Sequence, residues 1–476
     1  MPGLDRFHGL GAAALGWAIG ACGAPAAGPP PDLTPRPATV ATATGSALDL
    51  DFEPEAPAAD EHAADAARAI ELQWVLAAHD NRDPHRTPKG DHVVYRSTRG
   101  GDMAVYLGPV DRPEIAPRRL WPCPRGCDLL GVTGDGDWVG LRLGSPAAAD
   151  GSVVALRIRG GAPELDESPD RLEGLTKNGG SAGEGTTTVG PCGAALPGAA
   201  PALQAELGSI GVLHGSTSAL TWQSPLTPAD LWRLDRQSST LVPLRNETRP
   251  GLAALGDVRL TVDRAAALMA LVPRKPARAV LVVTGRSPNP VAAWDPVARA
   301  LAGQGYAVVR SCRAHSSAAA VLRWLDGQPF AAGHPRVVVN AGPEAGRAVR
   351  ELVAGAGVQT AVEVPWWWGE LDLARREQPV GAAPAPPTPS PPLDLADLGV
   401  IQGARVWFDA GRLGEPDRRL VAQLRRAGAQ VHYLAEPPLD ATRERPEQWR
   451  RALRLAALQR FLDGLFPPPQ RQGGVD

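Results

Sequence analysis

Arg336–Val353 reads RVVVNAGPEAGRAVRELV, and the fold follows from it. Val337, Val338 and Val339 are a β-branched run without alternation, the pattern of a strand buried on both faces of a parallel sheet. Ala345, Ala348, Val349, Leu352 and Val353 then recur along one helical face. Between strand and helix stands Gly342-Pro343-Glu344-Ala345-Gly346. That is the spacing of a Gly-x-Ser-x-Gly elbow, in which two glycines let a sharp turn lift one side chain above the sheet. The lifted residue is Glu344, not Ser, Cys or Asp.

On either side of this stretch, strands and helices alternate. Val258–Val262 and Ala266–Val272 read as a hairpin around Asp263-Arg264, and Ala279–Thr284 as a buried strand. Asp295-Pro296 is an N-cap followed by proline at the first helical position, with Val297, Ala298 and Leu301 on the inner face. Ala307–Arg310 is the next strand, followed by a helix carrying Val321, Leu322 and Leu325. Beyond the central stretch come strands at Thr360–Val364, Arg405–Asp409 and Gln430–Leu434, and helices over Arg418–Ala427 and Pro446–Leu465. The alternation predicts a doubly wound α/β domain over residues 251–467, ending in a tail at 468–476.

Residues 81–250 carry a different pattern, short strands separated by Gly-Asp and Gly-Gly turns. Strands are expected at His92–Ser97, Ala104–Leu107, Leu129–Thr133, Trp138–Leu143, Val153–Ile158, Ser209–His214, Leu220–Trp222, Leu231–Leu234 and Leu241–Leu244. Two units run strand, turn, strand in the manner of propeller blades, and the segment has room for about three or four blades. A plain β-sandwich is the alternative. Residues 60–80 precede this region as a helix with Ala66, Ala69, Ile70, Trp74 and Ala77 near one face.

Leu10–Ala21 is a short apolar run ending in Ile19-Gly20-Ala21-Cys22. It is too short to span a bilayer and reads as a secretory signal over residues 1–21. The Cys after small residues resembles a bacterial lipobox, which would make Cys22 the acylated first residue of the mature chain. An ordinary signal peptide or an apolar helix is the alternative. Residues 22–59, rich in Pro, Ala and Thr, read as a disordered tether. An exported, lipid-anchored envelope protein is therefore expected, attached to the membrane by its lipid alone. The formal charge of −2 gives no footprint for nucleic acid. Export permits a disulfide between Cys123 and Cys127, whereas a metal site finds no ligands of matching spacing, and no cofactor motif is present.

With these motifs in order, the C-terminal half resembles the prolyl oligopeptidase family, serine peptidases whose α/β-hydrolase domain follows a β-propeller. The resemblance runs from about Leu231 to Phe466 and is carried by ADLWRLDRQSSTLVPL, WDPVARALAGQGYAVVR and VLRWLDG…HPRVVVNAGPEAG. It implies an α/β-hydrolase domain behind a shortened propeller-like all-β domain. It also implies a Ser nucleophile, a His base, an orienting Asp and an oxyanion hole. Each slot is altered. Glu344 occupies the nucleophile slot and Gly414 the acid slot. Pro438 occupies the histidine slot, and no His follows it in the chain. Thr284-Gly285-Arg286-Ser287 replaces the oxyanion loop, with Gly285 and Arg286 in the donor positions.

The expectation is a pseudoenzyme that keeps the fold, with elbow glycines Gly342 and Gly346, as a binding or scaffold module for a peptide or protein. The alternative is an active peptidase or esterase-like hydrolase with an unorthodox site. Glu344 could serve as a carboxylate nucleophile with Glu415 or Glu436 near it, though clustered carboxylates repel and supply no proton shuttle. His315 and Ser316, with Cys312 close by, are the fallback pair. His432 lies inside the last strand and should point away from a catalytic loop. Trp366–Trp368 could line a cleft or pack between domains, and Pro384–Pro392 reads as an extended surface insertion.

Overall fold

The computed structural model describes residues 57–124, 126–144, 152–168, 170–171, 212–216, 219–235, 240–245, 247, 249, 251–252, 255–263, 265–275, 277–284, 294–311, 318–341, 346–354, 358, 360–363, 401–409, 415–435, 437, 439–443 and 445–468. All belong to one compact unit, Leu48–Asp476.

The first element is helix α1, Ala59–Leu76, which ends four residues short of the expected 60–80. Its buried face is also not the one expected. Asp65, Ala69, Leu72, Val75 and Leu76 are buried, while Ile70 and Trp74 are each 52% exposed. The sequence pattern favours the large apolar side chains, but a carboxylate lies on the buried face. Asp65 is accommodated because Arg460 donates to both of its oxygens, at 3.0 and 3.2 Å. A buried charge is tolerated when it is paired and hydrogen-bonded.

Among the described residues, twelve strands follow in three antiparallel four-stranded sheets. The first holds β1 (Asn81–Arg86), β2 (His92–Gly100), β3 (Asp102–Pro109) and β4 (Arg118–Pro122). The second holds β5 (Cys127–Val132), β6 (Trp138–Leu143), β7 (Val153–Arg157) and β8 (Leu165–Asp166). The third holds β9 (Val212–Ser216), β10 (Ala219–Ser224), β11 (Thr227–Asp235) and β12 (Thr240–Pro243). In each sheet, strands adjacent in sequence are neighbours in space. A Cys123–Cys127 disulfide, with Cα atoms 5.6 Å apart, closes the turn between the first two sheets. Glu247 ties this region together, accepting from Arg99, from Asn81 Nδ2 at 3.2 Å and from Arg245 Nε at 2.8 Å. Its burial pushes the carboxyl up, but the bonds from His79, Arg99 and Arg245 prevail and hold it well below the usual carboxylate range.

The remaining chain builds one eight-stranded sheet. It comprises β13 (Val258–Asp263), β14 (Leu268–Pro273), β15 (Val280–Thr284), helix α2 (Pro296–Gly303), β16 (Ala307–Ser311), helix α3 (Ala318–Leu325), β17 (Arg336–Asn340), helix α4 (Arg347–Ala354), β18 (Thr360–Glu363), β19 (Arg405–Asp409), helix α5 (Glu415–Arg426), β20 (Gln430–Leu434) and helix α6 (Pro446–Leu465). The order across the sheet is β13-β14-β16-β15-β17-β18-β19-β20. β14 is antiparallel to β13 and β16, and all other pairs are parallel.

Alternate side chains feed two cores. Leu281, Val283, Val337, Val339 and Trp407 pack with α1, α2 and α6 on one face. Val280, Val282, Val338, Val406 and Phe408 pack with α3, α4 and α5 on the other. The fold class is therefore α/β with helices on both faces of a largely parallel sheet, preceded by antiparallel β structure. Asp295 caps α2 as its sequence requires, accepting from Ala298 N at 3.0 Å.

Candidate functional site at the carboxyl ends of the strands

In a parallel sheet, ligands bind in the crevice beyond the carboxyl ends of the strands. Here those ends carry buried polar residues: Thr284 on β15, Arg310 on β16, Asn340 on β17, Glu363 on β18 and Asp409 on β19. A polar group in such a position must find a partner inside the protein or in a ligand. Arg310 donates to Asp295 Oδ2 at 2.7 Å, joining β16 to the cap of α2. Asp409 faces Arg454 of α6 at 3.4 Å. Thr284 Oγ1 donates to the carbonyl of Val339 at 3.3 Å.

Glu363 is the most heavily engaged of the five. Its Oε2 accepts from Asn340 Nδ2 at 2.7 Å. Its Oε1 accepts from the backbone N–H of Ala348 at 2.7 Å and of Val349 at 3.2 Å. These two amides belong to the first turn of α4, where the helix has no acceptors of its own. Burial pushes the Glu363 carboxyl up to about 7, against the opposing bonds from Asn340 and the α4 amides. One carboxyl thus holds both flanks of the elbow, the end of β17 and the start of α4. Gly346, at the downstream flank, has φ +72°. A side chain is disfavoured at that angle, which accounts for glycine there.

Among the expected site residues, Gly346 is described, at the start of α4. Glu344, Gly342, Gly414, Pro438, Gly285, Arg286, His315, Ser316 and Cys22 lie outside the described residues, as do Cys312, Glu436 and Trp366–Trp368. His432 is placed, and it lies on the α1–α6 side of the sheet with its ring 5.2 Å from Phe461. Glu363 was not singled out from sequence. Its signal was a lone carboxylate closing the apolar run Ala361-Val362.

No protein-family model and no curated protein sequence matches the chain. Solved structures do. An acylaminoacyl peptidase of Pyrococcus horikoshii aligns at 10% identity over 82% of this chain and 89% of its own, with a TM-score of 0.43. The isopeptidase AtxE2 aligns at 12% identity over 80% and 81%, with a TM-score of 0.40. A structure from a study of two prolyl endopeptidases aligns at 15% identity over 83% and 66%, with a TM-score of 0.37. These neighbours are prolyl oligopeptidase and acylaminoacyl peptidase enzymes at low identity, and no residue role is carried across from them.

Proposed function

We propose that the protein is a catalytically inactive member of the prolyl oligopeptidase class that serves the bacterial envelope as a binding or scaffold module. The order of the eight-stranded sheet, with its second strand alone antiparallel, supports an α/β-hydrolase domain. The three four-stranded meanders support a shortened propeller. The observation that carries the functional reading is His432. It is held within β20 against Phe461, while residues 435–445 and all of α6 contain no histidine. Acyl transfer on this fold takes its base from beyond the last strand and its nucleophile from the elbow. The elbow offers Glu344 and the loop offers Pro438. The carboxylates and guanidinium at the neighbouring strand ends are engaged in internal pairs.

The lipobox-like Cys22 and the Pro-rich segment after it support attachment to the membrane by a lipid and a tether, with a peptide or protein as the bound partner. The test is hydrolysis of a broad panel of esters and aminoacyl amides by the purified full-length protein and by Glu344→Ala. Neither is expected to exceed the blank. Turnover by the wild type that is lost in Glu344→Ala would establish the rival reading, an active hydrolase with an unorthodox site. Turnover surviving in both would direct attention to His315 and Ser316.

A further inference from the structure

β13 is an outer strand of the eight-stranded sheet, paired on one side with β14. At the foot of this hairpin the carbonyl of Asp257 accepts from the backbone N–H of Arg274 at 3.1 Å. Hydrogen-bonded and non-hydrogen-bonded pairs alternate along an antiparallel ladder, so Arg259, Thr261 and Asp263 turn their backbone groups toward β14. Pro273, opposite Val258, fits this phase, because it has no N–H to give. Val258, Leu260 and Val262 direct theirs outward, where nothing among the described residues pairs with them.

An open edge is a template for another strand, and proteins blunt such edges with lysine, proline or a bulge. β13 reads VRLTVD and its register with β14 is unbroken, so it carries none of these. Its side chains alternate between the two faces of the sheet. Val258 and Leu260 pack against the core shared with α1, α2 and α6. Asp263 lies on the other face, accepting from Trp324 Nε1 of α3 at 2.9 Å. Arg259 shares that face by alternation, is exposed, and has no partner among the described residues.

We propose that two copies of the chain pair edge to edge through β13, antiparallel about a twofold axis at Thr261. Outward-pointing residues must meet outward-pointing residues, which restricts the registers. Centring on Arg259 sets two guanidinium groups face to face, and centring on Leu260 or Val262 sets one of the charges opposite threonine. Centring on Thr261 alone places Arg259 opposite Asp263 of the second copy, twice by symmetry. The same register sets Leu260 opposite Val262 on the other face, also twice. Opposite charges and apolar pairs in these positions stabilise a strand pair, and this self-complementarity is what singles out a second copy as the occupant. The contact is isologous and closes at two copies, joining two eight-stranded sheets into one. It does not depend on whether the crevice catalyses.

The experiment is sedimentation of the full-length protein carrying Cys22→Ala, which removes any acyl group. The mass should rise with concentration from one chain to two. Val262→Pro removes an outward N–H and no bond to β14, so it should give a folded monomer. Arg259→Asp and Asp263→Arg each set like charges opposite one another, and each should be monomeric alone. An equimolar mixture of these two restores both opposite-charge contacts and should recover the dimer, an outcome that a merely structural role of either residue would not give. Thr261→Cys should cross-link to its own copy under diamide, well beyond an Arg259→Cys control, because residues facing each other in a non-hydrogen-bonded pair have Cα atoms about 4.5 Å apart. A monomer at every concentration up to millimolar, a dimer that survives Val262→Pro, or a mixture no heavier than its components would overturn the inference.

Discussion

Asn340 donates its side-chain amide to Glu363 across 2.7 Å, linking the last residues of two neighbouring parallel strands. Both residues are buried, and Glu363 also receives two backbone amides of α4. The end of β17 and the first turn of α4 are thereby tied to one side chain on a different strand.

The first prediction concerns pH. Glu363 moves from 4.5 in the open chain to about 7 in the folded protein. A carboxyl raised in this way binds more protons folded than unfolded, so its contribution is complete below pH 4.5. That contribution falls as pH rises and is lost once the pH has passed about 7. Urea midpoints measured across this window should decline with rising pH, and Glu363→Gln, which cannot ionise, should flatten the decline.

Removal of the same side chain should be severe at any pH. Glu363→Ala leaves the Ala348 and Val349 amides and the Asn340 amide group without their acceptor in a dry site. The expected loss is about 3 kcal/mol, read from denaturant unfolding. Glu363→Gln keeps one acceptor oxygen, and rotation of the Asn340 amide restores the other bond, so its loss should be about 1 kcal/mol.

Arg460 provides a third test. Arg460→Met strands the buried Asp65 carboxylate and should cost about 3 kcal/mol or more. Adding Asp65→Leu to that variant removes the stranded charge and should recover most of the loss. Comparison of the single and double variants by urea unfolding separates pairing from packing.

The proposed anchor is tested by fractionation. The wild-type chain should partition with membranes and resist salt extraction, because an acyl anchor is held by apolar transfer rather than by charge. Cys22→Ala should move the protein to the soluble fraction. Unchanged membrane association in the variant would refute a lipid on Cys22.

Strands buried on two faces were legible because an apolar run of β-branched and aromatic residues without alternation suits them. Val337–Val339 and Val406–Phe408 read correctly for that reason. β1 and β4 were missed, since NRDPHR and RRLWP carry no apolar alternation. β1 persists because its register shifts between Arg82 and His85 and Asp83 adopts φ +49°, a bulge that admits Pro84 into a strand. The buried face of α1 was misread because a carboxylate on a helix ordinarily marks the solvent side, and the partner that overrides this lies 395 residues away. Glu363 escaped notice for a similar reason. Its partners come from a preceding strand and helix, and no local pattern announces them.

That separation of 395 residues also has a consequence for synthesis. α1 is synthesised long before α6, the helix that makes most of its cover. Until α6 emerges, Ala69, Leu72 and Val75 lack much of the surface that buries them. The nascent chain therefore carries a partly uncovered apolar stripe while the intervening elements are made, a natural point of hold for a chaperone.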